Sequence, residues 1–262
     1  SNLRLKNIDL FTNEPKLIKI LSLEFKISKI FTENKNFYRK YKKKNENIFY
    51  VNSREKIFQN IQKIKSDICL GVSYGFVIIF DKKIINQYEN GIWNIHTGDL
   101  PRYRGRHPIT AAFLNDEKKI GLCIHSINEK IDQGYLLAKI FVNRDYKDDE
   151  NSIKNKFFRK IKNLIKSAKK NYIKKNIFRI KKGKYYLPFY KGIEIQDSKK
   201  FDHIYIHNSV KAQKSFGGIR VNGVKYYDSS FYFKKNIKQK KNTVIICKKN
   251  KKLILEKKKR NA

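Results

Sequence analysis

Methionine is absent from this 262-residue chain, tryptophan occurs once, at Trp93, and only three cysteines are present. Cys69, Cys123 and Cys247 are odd in number and far apart, and the runs around two of them, ICLGV and VIIC, are apolar. So few scattered thiols make neither a disulfide framework nor a metal site, and free buried thiols in a reducing, cytoplasmic compartment are expected. The lack of methionine has no explanation in the residue pattern. No apolar run approaches the roughly 18 residues of a membrane-spanning helix, and the opening SNLRLKNIDLF reads as a strand rather than a signal segment. Acidic residues are also scarce: 23 Asp and Glu against 61 Lys and Arg give a net charge of +38.

What is present is the composition of a folded protein, 40% hydrophobic and 13% aromatic, enough for one large core or a large domain with a small one. The positive charge points to an anionic ligand: a phosphate-bearing substrate, RNA or an acidic surface. Lys, Asn, Ile, Phe and Tyr are inflated together, as an AT-rich coding sequence would make them, but that bias does not account for the shortage of acids. Nucleic acid therefore ranks behind a phosphorylated small molecule.

Along the first half, short apolar runs alternate with amphipathic stretches, the pattern of an α/β fold with a largely parallel sheet. NIDLF, FKISKIF, DICLGVSYG, GIWNIH, KKIGLCIHSIN and GYLLAKIFV read as strands. EPKLIKILSLEF, SREKIFQNIQKIK (capped by Ser53), FDKKIINQYEN and RHPITAAFLND read as helices, and ENKNFYRKYKKKNEN as a lysine-rich loop. From about 151 one long helix places Ile153, Phe157, Ile161, Leu164, Ile165 and Ala168 on a single face, with a basic face opposite. A strand-rich tail with glycine turns at 217–218 and 222–223 ends in a hairpin of TVIIC and KLILE. The expected division is 1–180 and 181–262.

The chemistry gathers at GIWNIHTGDLPRYRGRH. Strand alternation puts Asn94 and His96 on one face and Trp93 and Ile95 on the other. Open α/β sheets build sites beyond the carboxyl ends of their strands, where this pair lies. A second strand end leads into EKIDQG and carries Asp132. An Asn amide donates to a carbonyl oxygen as it becomes an oxyanion. A carboxylate beside an imidazole favours the protonated form, and it can help shuttle a proton off an attacking amine. No Ser or Cys stands at a strand end with a matching base, so the nucleophile is expected from the substrate.

GVSYGFVI, GIWNIHTGDLPRYRG and HPITAAFLNDEKKIGLCIHSINEKIDQGYLLA, in this order and spacing, resemble the core of the folate-dependent formyltransferases. The likeness is good over about 60–140 and thin before that. It implies a Rossmann-like formyltransferase fold with a small β-rich C-terminal region. It also implies 10-formyltetrahydrofolate as co-substrate, a primary amine as acceptor, no metal, and Asn94, His96 and Asp132 as catalytic residues. The folate would be flanked by Ser73, Tyr74, Gly75, Phe76, Val77 and Ile78 and by Ile131; the acceptor would be met by Thr97, Gly98, Arg102, Tyr103, Arg104 and Gly105.

Thr97-Gly98-Asp99-Leu100-Pro101 stands where the family often has Ser-Leu-Leu-Pro, which bears on acceptor contacts rather than on the three catalytic positions. IHNSVKAQKSFGGIRVNGVKYYD resembles the C-terminal part of enzymes acting on nucleotide-linked amino sugars, and His125 sits where sugar and purine enzymes often carry histidine. The expected reaction is N-formylation of such a sugar, for example a dTDP-4-amino-4,6-dideoxyhexose, for a surface polysaccharide such as lipopolysaccharide, by a soluble enzyme and expected homodimer. A methionyl-tRNA formyltransferase is the alternative, with the lysine-rich helix and tail on phosphates; a basic nucleic-acid-binding module is the non-enzymatic one.

Overall fold

The computed structural model describes residues 5–63, 68–128, 134–189, 192–232 and 242–258. The elements in chain order begin with β1 (Asn7–Thr12), α1 (Lys16–Leu21), β2 (Lys26–Thr32), α2 (Lys35–Lys42), β3 (Ile48–Tyr50), α3 (Arg54–Lys63), β4 (Leu70–Tyr74), α4 (Lys82–Ile85) and β5 (Ile92–His96). They continue with β6 (Arg104–Gly105), α5 (Pro108–Leu114), β7 (Lys119–Ser126), β8 (Tyr135–Asn143), α6 (Glu150–Ile173), β9 (Phe178–Arg179) and β10 (Tyr185–Tyr186). The last are β11 (Glu194–Ile195), α7 (His203–Gln213), β12 (Ile219–Val221), β13 (Val224–Tyr226), β14 (Asp228–Phe231), β15 (Asn242–Ile246) and β16 (Lys252–Glu256). The long helix, the Asn222-Gly223 turn between β12 and β13, and the β15–β16 hairpin are where the pattern placed them.

Two compact units interleave along the chain. One comprises Ser1–Arg104, Gly121–Ile140 and Phe157–Lys184; the other comprises Gly105–Ile120, Phe141–Lys156 and Tyr185–Ala262.

An eight-stranded sheet runs in the order β3-β2-β1-β4-β5-β7-β8-β9. β3 through β5 pair in parallel, while β5–β7 and β8–β9 are antiparallel. This mixed, mostly parallel α/β sheet is the architecture that alternating strands and helices imply. In the first unit Phe11 and Phe31 stack with ring centroids 4.8 Å apart, in a cluster with Val51, Ile57, Phe80, Ile84, Tyr88 and Ile92. Phe157, Ile161, Leu164, Ile165 and Ala168 of α6 are all buried. Within the same interior the Asp9 carboxylate accepts from Tyr88 Oη at 2.9 Å and Lys29 Nζ at 3.4 Å. Burial raises its pKa, and these two partners only partly oppose that.

The second unit packs α7 against α5, with Gln213 Nε2 donating to Thr110 Oγ1. It also holds two three-stranded sheets, β11-β12-β13 and β14-β16-β15. Their core includes Ile195, Ile206, Val210, Ile219, Val221, Leu253 and Leu255.

Two local expectations need correction. The lysine-rich stretch after β2 is a helix followed by a strand, not a loop. The Asn34 side chain caps α2 by accepting from Asn36 and Phe37 N–H, which contributes about 1 kcal/mol. Phe37 and Tyr41, one turn apart, press their rings together and cover Ile30 and Ile48. Only this narrow apolar stripe is buried, so the lysines between hid it. The first helix is shorter than its apolar pattern, ending at Leu21, where Phe25 N–H returns to the Leu21 carbonyl and turns the chain into β2. The cysteines carry no disulfide: Cys123 and Cys247 are buried and Cys69 is half-buried.

Candidate active site

The carboxyl ends of β1, β2, β4 and β5 lie along one edge of the parallel part of the sheet, and the side chains with chemistry stand there. Ser73 on β4 is paired in register with Asn94 on β5, and Asn94 with His125 on β7, so three adjacent strands present a hydroxyl, an amide and an imidazole in a row. Asn94 is half-exposed, whereas His96 and His125 are buried.

His125 Nδ1 lies 2.9 Å from the Ser126 carbonyl. A carbonyl only accepts, so Nδ1 carries the hydrogen, and the Nε2 lone pair of the neutral ring accepts from the Asn94 amide nitrogen at 3.2 Å. One of the two Asn94 amide hydrogens is thereby engaged and the orientation of the amide is set. His96 Nε2 lies 2.7 Å from the Tyr103 carbonyl and by the same logic carries a hydrogen, a bond that sets the orientation of the ring.

Asp132 and Ile131 lie outside the described residues. At Gly134, just before β8, a Cβ would stand 1.7 Å from the Ser126 carbonyl oxygen; Tyr135 N–H donates to Ser126 Oγ at 2.8 Å. The glycine that follows Asp132 is thus required by a backbone approach next to His125.

The turn after β4 is built from further away than its sequence shows. Gly75 has φ +58 and opens it. The Glu33 carboxylate, just past β2, accepts from Val77 N–H at 2.7 Å and Ile78 N–H at 3.0 Å, and from the Asn13 amide at 2.8 Å. Asn13 also donates to the Gly75 carbonyl. Tyr74 turns away from the strand-end row and packs near Phe158, and Phe76 stacks on Phe80, which leaves Val77 and Ile79 as exposed apolar side chains of this turn. Neither Asn13 nor Glu33 stood out in the sequence, because a lone Asn or Glu after a strand carries no pattern.

The chain belongs to the formyl transferase family. Its family model matches residues 1–168. Methionyl-tRNA formyltransferase of Buchnera aphidicola subsp. Acyrthosiphon pisum (strain Tuc7) is 37% identical over 103 residues, 39% of this chain and 32% of that protein, so the matched stretch spans about a third of the relative's length. Among solved structures, WlaRD, a sugar 3N-formyl transferase in the presence of dTDP and 5-N-formyl-THF, is 18% identical. It superposes with a TM-score of 0.69 over 98% of this chain and 99% of its own. An N-formyltransferase from Helicobacter canadensis, in complex with folinic acid and dTDP-3-aminofucose, is 19% identical with a TM-score of 0.69 over 97% and 99%. These likenesses establish the shared formyltransferase fold.

Within this family member the LPRYRG loop is held more tightly than its polar sequence implied. Tyr103 and Arg104 are buried, and Arg104 N–H donates to the Lys184 carbonyl at 3.1 Å. Arg102 is exposed, its guanidinium 3.4 Å from Asp99 Oδ2, and Arg106 is exposed too. Thr97 is half-buried and Gly98 buried. Gly105, at the end of β6, has φ +110, and a Cβ there would stand 2.3 Å from the Tyr186 carbonyl oxygen.

Proposed function

We propose that this chain transfers the formyl group of 10-formyltetrahydrofolate to the primary amine of a nucleotide-linked amino sugar, such as a dTDP-4-amino-4,6-dideoxyhexose, in the assembly of a surface polysaccharide. The observation that carries the reading is the paired arrangement of Asn94 on His125 and His96 on Tyr103 at the end of β5. Bound folate supplies an activated formyl carbon. Asn94 directs its second amide hydrogen at the formyl oxygen as negative charge develops there, a contact whose removal costs about 10²–10³ in kcat. His96 acts as acid or second donor. Asp132 helps move the proton lost by the amine, as the new C–N bond forms, to the nitrogen from which the formyl carbon departs.

The turn after β4 meets the pterin with the Val77 side chain rather than with the Val77 and Ile78 N–H groups, which Glu33 already holds. For the acceptor, end-to-end coverage of two sugar N-formyltransferases supports an amino sugar, and the exposed Arg102 supplies a guanidinium for its phosphates. The test is incubation of the chain with 10-formyltetrahydrofolate and a panel of dTDP- and UDP-amino sugars, read by mass spectrometry. Gain of one CO unit by a sugar is expected, and no gain across the panel sinks the reading.

One observation favours a second reading, methionyl-tRNA formylation. No Asp or Glu occurs between Glu150 and Glu194, and the outer face of α6 exposes Arg159, Lys160, Lys162, Lys166 and Lys170. Formylation of initiator tRNA with an affinity falling steeply with salt would favour it; a salt-insensitive KM for a nucleotide sugar rules against it. A basic nucleic-acid-binding module without catalysis would leave biological activity unchanged in a His96→Ala variant.

A further inference from the structure

We infer that Lys139, on β8, is a positioning residue that holds His96 in its working orientation through the loop that follows β5; this rests on the formyl-transfer reading given above. The connection is a series of hydrogen bonds. Lys139 Nζ donates to Asp99 Oδ1 at 2.6 Å and to the Leu100 carbonyl at 2.5 Å. The Asp99 carbonyl accepts from Tyr103 N–H at 2.9 Å, closing the turn from 99 to 103. The Tyr103 carbonyl then accepts from His96 Nε2 at 2.7 Å. One ammonium group thus fixes both the side chain and the following carbonyl at the start of a turn whose far end fixes the imidazole.

Burial and packing give this series its stiffness. The Asp99 side chain is 10% exposed and that of Lys139 25%, so their charge-assisted bond is shielded from water. Beneath the turn, a Cβ at Gly121 would stand 2.7 Å from the Asp99 Cα, so the loop backbone sits directly on β7. The remaining cation on Asp99 among the described residues is Arg102, at 3.4 Å and with a 61% exposed side chain, a poor substitute for the shielded ammonium. The turn after β4 is pinned separately by Glu33, so loosening the Asp99 turn disturbs His96 without disturbing the side expected to bind folate. Aspartate at 99 and lysine at 139 form a matched pair that a purely apolar turn would not need.

The test uses the full chain with Lys139→Met, which keeps the aliphatic stem and removes the charge, and Lys139→Arg, which restores it. Steady-state kinetics with 10-formyltetrahydrofolate and the amino sugar that the panel identifies are read alongside hydrogen–deuterium exchange of the Tyr103 amide. K139M is expected to lose about tenfold or more in kcat, the size of one lost hydrogen bond to a charged group. KM for the folate should stay within about twofold, since the Glu33 contact is untouched. The acid limb of the pH–rate profile should move and Tyr103 exchange should rise, with K139R recovering most of both. Wild-type kcat together with unchanged Tyr103 exchange in K139M overturns the inference. If K139M does not fold, Asp99→Asn weakens the same bond by removing the acceptor's charge at constant volume, and wild-type kcat with unchanged Tyr103 exchange there overturns it equally. Raised Tyr103 exchange with no formyl transfer even by the wild-type chain upholds the clamp and removes the formyl-transfer reading instead.

Discussion

The Asn94 amide nitrogen lies 3.2 Å from His125 Nε2, and the other nitrogen of that ring is committed to the Ser126 carbonyl. An asparagine can turn over by 180° and present oxygen where nitrogen is needed; the lone pair on Nε2 forbids that here. Asn94→Ala is expected to lower kcat by about 10²–10³. His125→Phe, which leaves the amide in place but unoriented, is expected to lower it by about tenfold. Kinetics of both variants and the double variant check this: strong non-additivity is expected, because His125 acts through Asn94. Full additivity would count against it.

Glu33 joins the ends of β1 and β2 to the turn after β4. Glu33→Ala leaves two backbone N–H groups without their acceptor, at a cost of about 1–3 kcal/mol in stability. It should raise KM for the folate several-fold and leave kcat within about twofold. Urea unfolding and initial-rate kinetics measure the two effects. An unchanged KM would show that this turn does not face the folate.

Burial pushes the imidazole of His207 down to about 4, with Lys211 and Arg144 acting in the same direction and the Tyr146 carbonyl and Asp228 opposing. Its Nε2 donates to the Tyr146 carbonyl and its Nδ1 accepts from Ser229 Oγ, so the ring is neutral in the folded chain. The unfolded chain takes up a proton near pH 6.5 and the folded chain does not until about 4. Stability is therefore full above about 6.5 and falls as pH drops from there to about 4, by an amount on the order of 3 kcal/mol. Unfolding free energies at a series of pH values test this, and a His207→Gln chain should lose that part of the slope.

Gly183 lies beyond the expected boundary near 180 but packs on the loop after β5: a Cβ would stand 1.9 Å from the Pro101 carbonyl oxygen. Gly183→Ala forces the two backbones apart and is expected to cost about 1–3 kcal/mol. It should also reduce kcat, because Arg104 N–H is bonded to the neighbouring Lys184 carbonyl. A thermal melt and a rate measurement decide it, and a variant with wild-type values in both would refute the packing argument.

The strand-end placement of Asn94 and His96 was legible because alternation and the switch from apolar run to glycine-broken loop are local signals. The β12–β13 and β15–β16 hairpins were legible for the same reason. The α2 helix was not, since its buried stripe is two aromatic residues among lysines and its cap is a single asparagine. Asp132 was read as part of the site from its motif and lies outside the described residues, while Gly134 beside it has a structural reason of its own.

By itself the sequence determined the α/β alternation, the candidate reacting pair and the family, because each is written in neighbouring residues or in an ordered set of motifs. Only the tertiary structure decided which lone polar residues matter. Glu33 reaches Val77 across 44 positions, Lys139 reaches Asp99 across 40, and His125 reaches Asn94 across 31. Such partners have no periodicity to betray them; they meet because the sheet sets strands far apart in sequence side by side, parallel up to β5 and antiparallel at β7, where unpaired backbone and charge must find a partner.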